Sequence, residues 1–212
     1  KDHSIRGILK RFKKDLLLVH FMRKFVNESK LNAASHYLFP SFWMKKEMED
    51  NLSVEVSSFD VIANGIETDL FEFSNLFEKR FKLMALRPLS SMKYAVDVAI
   101  ETVRFLPAQY TLDIFGKGKY EKRFKDLIKK NSLEDRVNIY STFINKSHMP
   151  QHFSKYGVSM STTRMDAQGV SMCEAMSSGL LTVSNDNTAI PEFISDMDTG
   201  ILANKPKELA EK

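Results

Sequence analysis

The chain has 212 residues, 43% hydrophobic, 27% charged and 11% aromatic, a balance that excludes collagenous, mucin-like and most disordered classes. Its single cysteine excludes an intrachain disulfide and a disulfide-framed secreted fold, so a reducing, cytoplasmic setting is expected. The net charge of +4 is uneven: residues 1–30 carry nine Lys/Arg against three Asp/Glu, and the near-neutral remainder does not suggest a nucleic-acid-binding body.

In chain order, residues 4–26 are expected to form an amphipathic helix. Ile5, Leu9, Phe12, Leu16, Val19 and Met22 fall near helical spacing, with Arg6, Lys10, Lys13 and Lys14 off that face. Such a face either packs on a domain with its basic side in water or docks on an anionic membrane surface, such as the inner face of the cell membrane. The apolar run at Leu16–Val19 falls far short of the roughly 18 residues of a membrane span, and no signal-peptide pattern is visible. A short strand is expected at 37–40. Ser41 is then expected to cap a helix over 42–51, and another short strand at 60–63 leads into the turn signal Asn64-Gly65. Residues 59–80 look like a connector, with Phe71, Phe73 and Phe77 packing against a neighbour.

From Lys82 onward the pattern alternates. Strands are expected at 82–86, 111–115, 136–140, 157–161, 180–184 and 200–202. Helices are expected at 92–105, 120–130, 149–155, 169–178 and 190–194. Short apolar strands alternating with helices imply a parallel sheet covered on both faces, a doubly wound Rossmann-like α/β domain. Ligands of such sheets bind beyond the carboxyl ends of the strands.

Three post-strand stretches therefore matter. Arg87 and Lys93 flank a strand-to-helix turn. The pair suits a pyrophosphate, with Arg forking two oxygens and Lys supplying a point charge; two surface cations are the plainer reading. Gly116-Lys117-Gly118-Lys119 is neither a full G-x-G-x-x-G nor a P-loop, but its glycines permit a tight turn and close approach of a ligand. Asp166 and Glu174 are eight positions apart, Asp166 in a loop and Glu174 inside the helix opened by Gly169. Two such carboxylates can bracket one ligand. Glu174, set among Cys173, Ala175 and Met176, needs a partner, and a sugar diol would supply one.

At this stretch the sequence resembles the retaining GT-B glycosyltransferases of family 4, whose hallmark is a carboxylate, seven residues and a Glu. Here it stands as D-A-Q-G-V-S-M-C-E, running on into A-M-S-S-G. Other stretches agree in order. Residues 62–71, I-A-N-G-I-E-T-D-L-F, look like the family's I-P-N-G-V-D linker. Arg87 and Lys93 resemble its G-R-L-x3-K pair, 113–118 its I-V-G-D-G, 133–137 its L-x-D-R-V and 189–192 its G-I-P-E. The sequence departs from the pattern in having Asp166 for the usual Glu, Ala167-Gln168 for Gly-Phe, Arg87 and Lys93 one residue further apart than usual, no glycine before Arg87 and Leu181 for Pro.

The resemblance implies a tail of an acceptor domain over 1–58, a linker over 59–80 and a donor-binding domain over 81–212. The chain is thus expected to be a fragment, one GT-B half with a helical remnant of the preceding domain. Carried over, Glu174 would hold the nucleotide ribose, Arg87 and Lys93 the pyrophosphate, and the amides of Gly169 and Val170 the sugar or distal phosphate. Asp166 would stand at the donor sugar, Gly116 would line the site, and the base would lie near Thr142–Ile144. The implied activity is retaining, metal-independent transfer from a nucleoside-diphospho-sugar to a glycan or lipid-linked acceptor, in polysaccharide biosynthesis, with no cofactor. A non-catalytic GT-B partner module and a GT-B-shaped nucleotide-sugar epimerase are the competing readings. Neither the Asp196-x-Asp198 pair, His148 and His152, nor Cys173 is expected to bind metal or act as a nucleophile.

Overall fold

A computed structural model describes residues 36–212, which form two compact units divided between Ala63 and Asn64. The helix expected at 4–26 lies outside the described residues.

The first unit is a small parallel β–α–β arrangement. Strand β1 (Tyr37–Phe39) pairs in parallel with β2 (Phe59–Val61), and helix α1 (Phe42–Leu52) connects them. The fully buried Ser41 caps α1, its Oγ accepting from the Met44 amide at 3.1 Å. Ser53, in a left-handed conformation, ends the helix.

The second unit carries a six-stranded parallel sheet. In chain order its strands are β3 (Lys82–Leu86), β4 (Thr111–Phe115), β5 (Val137–Tyr140), β6 (Val158–Met160), β7 (Leu181–Ser184) and β8 (Ile201–Leu202). They lie in the spatial order β5-β4-β3-β6-β7-β8. The helices are α2 (Val96–Val103), α3 (Glu121–Lys130), α4 (Met149–Phe153), α5 (Val170–Ser177) and α6 (Pro206–Glu211). Residues of β3 alternate between two cores, as the period-2 geometry of a strand requires. Leu83 and Ala85 join Leu112, Ile114 and residues of α2, α3 and α6. Met84 joins Phe115 and residues of α4 and α5 on the other face. This is the doubly wound, Rossmann-like α/β arrangement.

The helix expected at 190–194 is only a 3-10 turn, Ile190–Glu192, and two further segments depart from the sequence-based expectation. Residues 64–80, read as a connector, are integral to the second unit. Phe71 is fully buried against Phe153 with ring centroids 5.8 Å apart, its carbonyl accepts from Ser177 Oγ, and the Ser74 amide donates to the Ser178 carbonyl. Phe73 and Phe77 remain exposed. The single helix expected over 92–105 is instead a 3-10 turn, Met92–Tyr94, followed by α2, with Ala95 left-handed at φ 46° between them. The cause is tertiary. The loop after β6 donates to the carbonyls of this turn: Thr162 Oγ1 to Ala95, the Arg164 amide to Lys93 and the Arg164 guanidinium to Met92.

Candidate functional site

The chain runs outward from β3 to β4 and β5, then returns to place β6 on the other side of β3. The crevice beyond the carboxyl ends of β3 and β6 is thus the topological switch point, where parallel sheets bind ligands. Arg87, the first residue after β3, bridges it. Its side chain is 5% exposed, and Nη2 donates to the Ser161 carbonyl beyond β6 at 2.6 Å. Nη1 lies 3.6 Å from Asp166 Oδ2. Burial pulls the guanidinium below its ordinary pKa, and the Asp166 carboxylate opposes that shift.

Asp166 occupies the loop between β6 and α5. Its Oδ1 accepts from the Gly169 amide at 2.8 Å and the Gln168 amide at 3.3 Å. Gly169 enters α5 at φ 80°, a left-handed conformation that suits glycine. Val170 begins the helix and is partly exposed. The structure therefore gathers Arg87, Asp166 and Gly169 at one point. Both Asp166 oxygens, expected to face a donor sugar, are turned toward the chain's own cations and amides.

Glu174 is on the same helix, one turn further in. It is 6% exposed, and among the described residues no group donates a hydrogen bond to its carboxylate. Burial raises its pKa, the Lys146 ammonium lowers it, and the Glu67 carboxylate raises it further. Lys146 itself is bonded to Glu67 Oε1 at 2.6 Å, a contact that raises the lysine pKa.

The remaining expected site residues lie as follows. Lys93 is exposed, with its ammonium 4.9 Å from the Tyr94 ring centroid; among the described residues it forms no ion pair, so the expected convergence with Arg87 is not drawn together here by any contact. Thr142 is exposed in the loop after β5, and Ile144 packs partly buried against the core that contains Ala175. A Cβ on Gly116 would stand 2.0 Å from the Arg87 carbonyl oxygen, and one on Gly118 2.0 Å from the Leu89 carbonyl carbon. The close approach that these glycines permit is therefore that of the 87–90 backbone, whose Arg87 and Leu89 amides donate to the carbonyls of the neighbouring Phe115 and Lys117.

Sequence reasoning missed one clamp. Gln168 is 3% exposed, and its Oε1 accepts from the Asn64 amide at 2.6 Å and Asn64 Nδ2 at 2.7 Å, while its Nε2 donates to the Asn64 carbonyl at 2.7 Å. The only sequence signal was a glutamine where the family pattern has phenylalanine.

A cavity of about 530 Å³ lies elsewhere, lined by apolar residues at the starts of β3, β6, β7 and β8 and by α6. Leu83, Val158, Leu181 and Ile201 line it, and it lacks the buried charged groups that mark the switch point. Among the described residues no three His, Cys, Asp or Glu side chains are grouped to hold a metal ion. Asp196 is bonded to the Leu202 amide and Lys212, the His152 ring packs edge-on against Phe115, and burial raises the Cys173 thiol pKa. No described helix is long and apolar enough to cross a membrane.

Known proteins resemble this arrangement. The amylovoran biosynthesis glycosyltransferase AmsK of Erwinia amylovora is 27% identical over 213 residues, which cover 95% of this chain and 49% of AmsK. The chain thus spans about half the length of that curated relative. Anabaena HepE, solved with UDP and glucose, superposes with a TM-score of 0.74 at 21% identity, over 84% of this chain and 52% of HepE. S. aureus TarM, solved with fondaparinux, alpha-GlcNAc-glycerol and UDP, gives 0.71 at 19% identity over 82% and 35%. These likenesses are of fold. The model of the family described as Glycosyl transferases group 1 matches residues 67–212, and the chain belongs to that family.

Proposed function

We propose that this chain supplies the donor-binding half of a retaining, metal-independent glycosyltransferase, which takes a sugar from a nucleoside-diphospho-sugar. The observation that carries the reading is Glu174, a residue 6% exposed whose carboxylate takes no hydrogen bond from the described residues, on the helix whose start faces Arg87. Burial raises the pKa of this carboxylate, and a ribose cis-diol would offer it two donors. Family membership and the switch-point position of Arg87 support the same assignment.

In this reading the diphosphate lies between Arg87, Lys93 and the amides at the start of α5, and the base lies beside 142–144. As the bond from the anomeric carbon to the diphosphate breaks, negative charge grows on the leaving phosphate, where Arg87 is already fixed. That phosphate accepts the proton of the incoming acceptor hydroxyl on the same face of the sugar. In this reading the acceptor is a glycan or lipid-linked acceptor, and the name of AmsK, an amylovoran biosynthesis glycosyltransferase, supports a role in biosynthesis by sugar transfer.

Calorimetric titration of the chain with UDP, GDP and ADP and their sugars tests the reading. One nucleotide class binding, with a 2′-deoxynucleotide bound more weakly than its ribose parent, is expected. A deoxy compound bound as tightly as its parent would sink the ribose assignment.

A further inference from the structure

The donors that would read a diphosphate already have an anion. Asp166 Oδ1 takes the amides of Gly169 and Gln168, and Asp166 Oδ2 faces Arg87. We infer that Asp166 is a built-in rival of the donor's diphosphate, a positioning residue that holds Arg87 and the entrance of α5 ready until the diphosphate displaces it from both. The inference rests on the proposal that Arg87 binds the diphosphate.

Three features separate this arrangement from an ordinary structural ion pair. The Arg87–Asp166 contact is 3.6 Å, too long for a hydrogen bond, so guanidinium donors remain available to another oxygen. Arg87 is 5% exposed, whereas the Asp166 side chain is 22% exposed, so the carboxylate lies on the solvent side and can leave while the cation stays. Finally, Asp is short. Its carboxylate reaches the amides two and three residues onward, as aspartates do in local turns, and a carboxylate one methylene longer would be carried past them. A single carboxylate holds these donors only until an anion of higher charge arrives, since charge-assisted contacts strengthen with the charge of the acceptor.

The test compares the whole chain with Asp166→Asn and Asp166→Ser, both of which keep a capping oxygen and remove the charge. Binding of inorganic pyrophosphate and of UDP is measured by calorimetry, with a thermal melt as the check on folding. Loss of the rival is expected to tighten pyrophosphate and UDP by roughly tenfold in both variants, the size of one charge-assisted contact. It is also expected to lower the melting temperature of the free chain while increasing its rise on adding UDP. Affinity that is unchanged or weaker in both variants overturns the inference and leaves the donor reading standing. Weaker UDP-sugar binding with UDP unaffected also overturns it, and makes Asp166 a sugar ligand. Tighter pyrophosphate binding with no preference for any nucleotide keeps the rival and sinks the donor reading. No binding of either probe by any form sinks both.

Discussion

Glu174 and Arg87 are both buried charges, but the chain treats them differently. Arg87 has a carbonyl and a carboxylate; Glu174 has only the field of Lys146, which is itself bonded to Glu67. The consequence is a pH dependence whose sign can be worked out. The Glu174 pKa is raised in the folded chain, so between the unfolded value, roughly pH 4, and the folded value the folded state binds the extra proton. Stability is therefore fully present below the unfolded pKa, falls as pH rises through that window, and stays reduced above it. Glu174→Gln lacks this titration. The variant is expected to melt above the parent at neutral pH and to match it in acid, as thermal melts across pH would record. Its nucleoside-diphosphate affinity is expected to fall by roughly 10- to 150-fold, the loss of one hydrogen bond to a charged acceptor. If Glu174 merely pairs with Lys146 as a structural contact, the substitution lowers the melting temperature and leaves the affinity alone.

At the scale of elements, the loop 166–169 and the turn 116–118 were only half legible in the sequence. Gly169 was readable as a helix entrance because its place after a strand and before an apolar helix is a local signal. Its φ of 80° agrees. Gln168 was not readable, because its partner Asn64 is 104 positions away and looked like a turn residue. Gln168→Ala removes three hydrogen bonds at once, partly replaceable by water at the exposed Asn64. A loss of about 1–3 kcal/mol in urea unfolding is expected, where a surface glutamine would cost about 0.5 or less. Gly116 and Gly118 had been read for the space a ligand needs, whereas the structure fills that space with the 87–90 backbone. Backbone cannot yield as a flexible side chain does. Gly118→Ala is therefore expected to cost more than about 3 kcal/mol or to prevent folding, with any loss of nucleotide binding following from the lost fold. The break at Ala95, like the Gln168 clamp, is held by residues far along the chain: loop residues 162 and 164 donate to the carbonyls of Met92, Lys93 and Ala95.

Across the whole second unit, the strands were legible because each is a short apolar run between turn signals, and β3 and β4 occupy the expected 82–86 and 111–115. Strand order was not written in any one segment. It emerges from the return crossover that seats β6 beside β3, and this crossover brings Arg87 to the Ser161 carbonyl from 74 positions away. Two places could then compete for a ligand: the charged crevice at the carboxyl ends, and the apolar cavity of about 530 Å³ lined by strand starts. Chemistry favours the crevice, since a diphosphate leaves water only for fixed donors and cations. Hydrogen–deuterium exchange on the whole chain, with and without UDP, distinguishes them. Protection is expected at Arg87 and Leu89 and at 166–174, where amides follow β3 and open α5, and around 141–146 beside Lys146. Amides at 157–158 and 200–201, beside the cavity, are expected to exchange as before. Protection confined to the cavity side would move the ligand to the opposite ends of the strands. The ligand would then meet Leu83, Val158 and Ile201 instead of Arg87 and Glu174, and a diphosphate would be the wrong chemistry for the surface it touched.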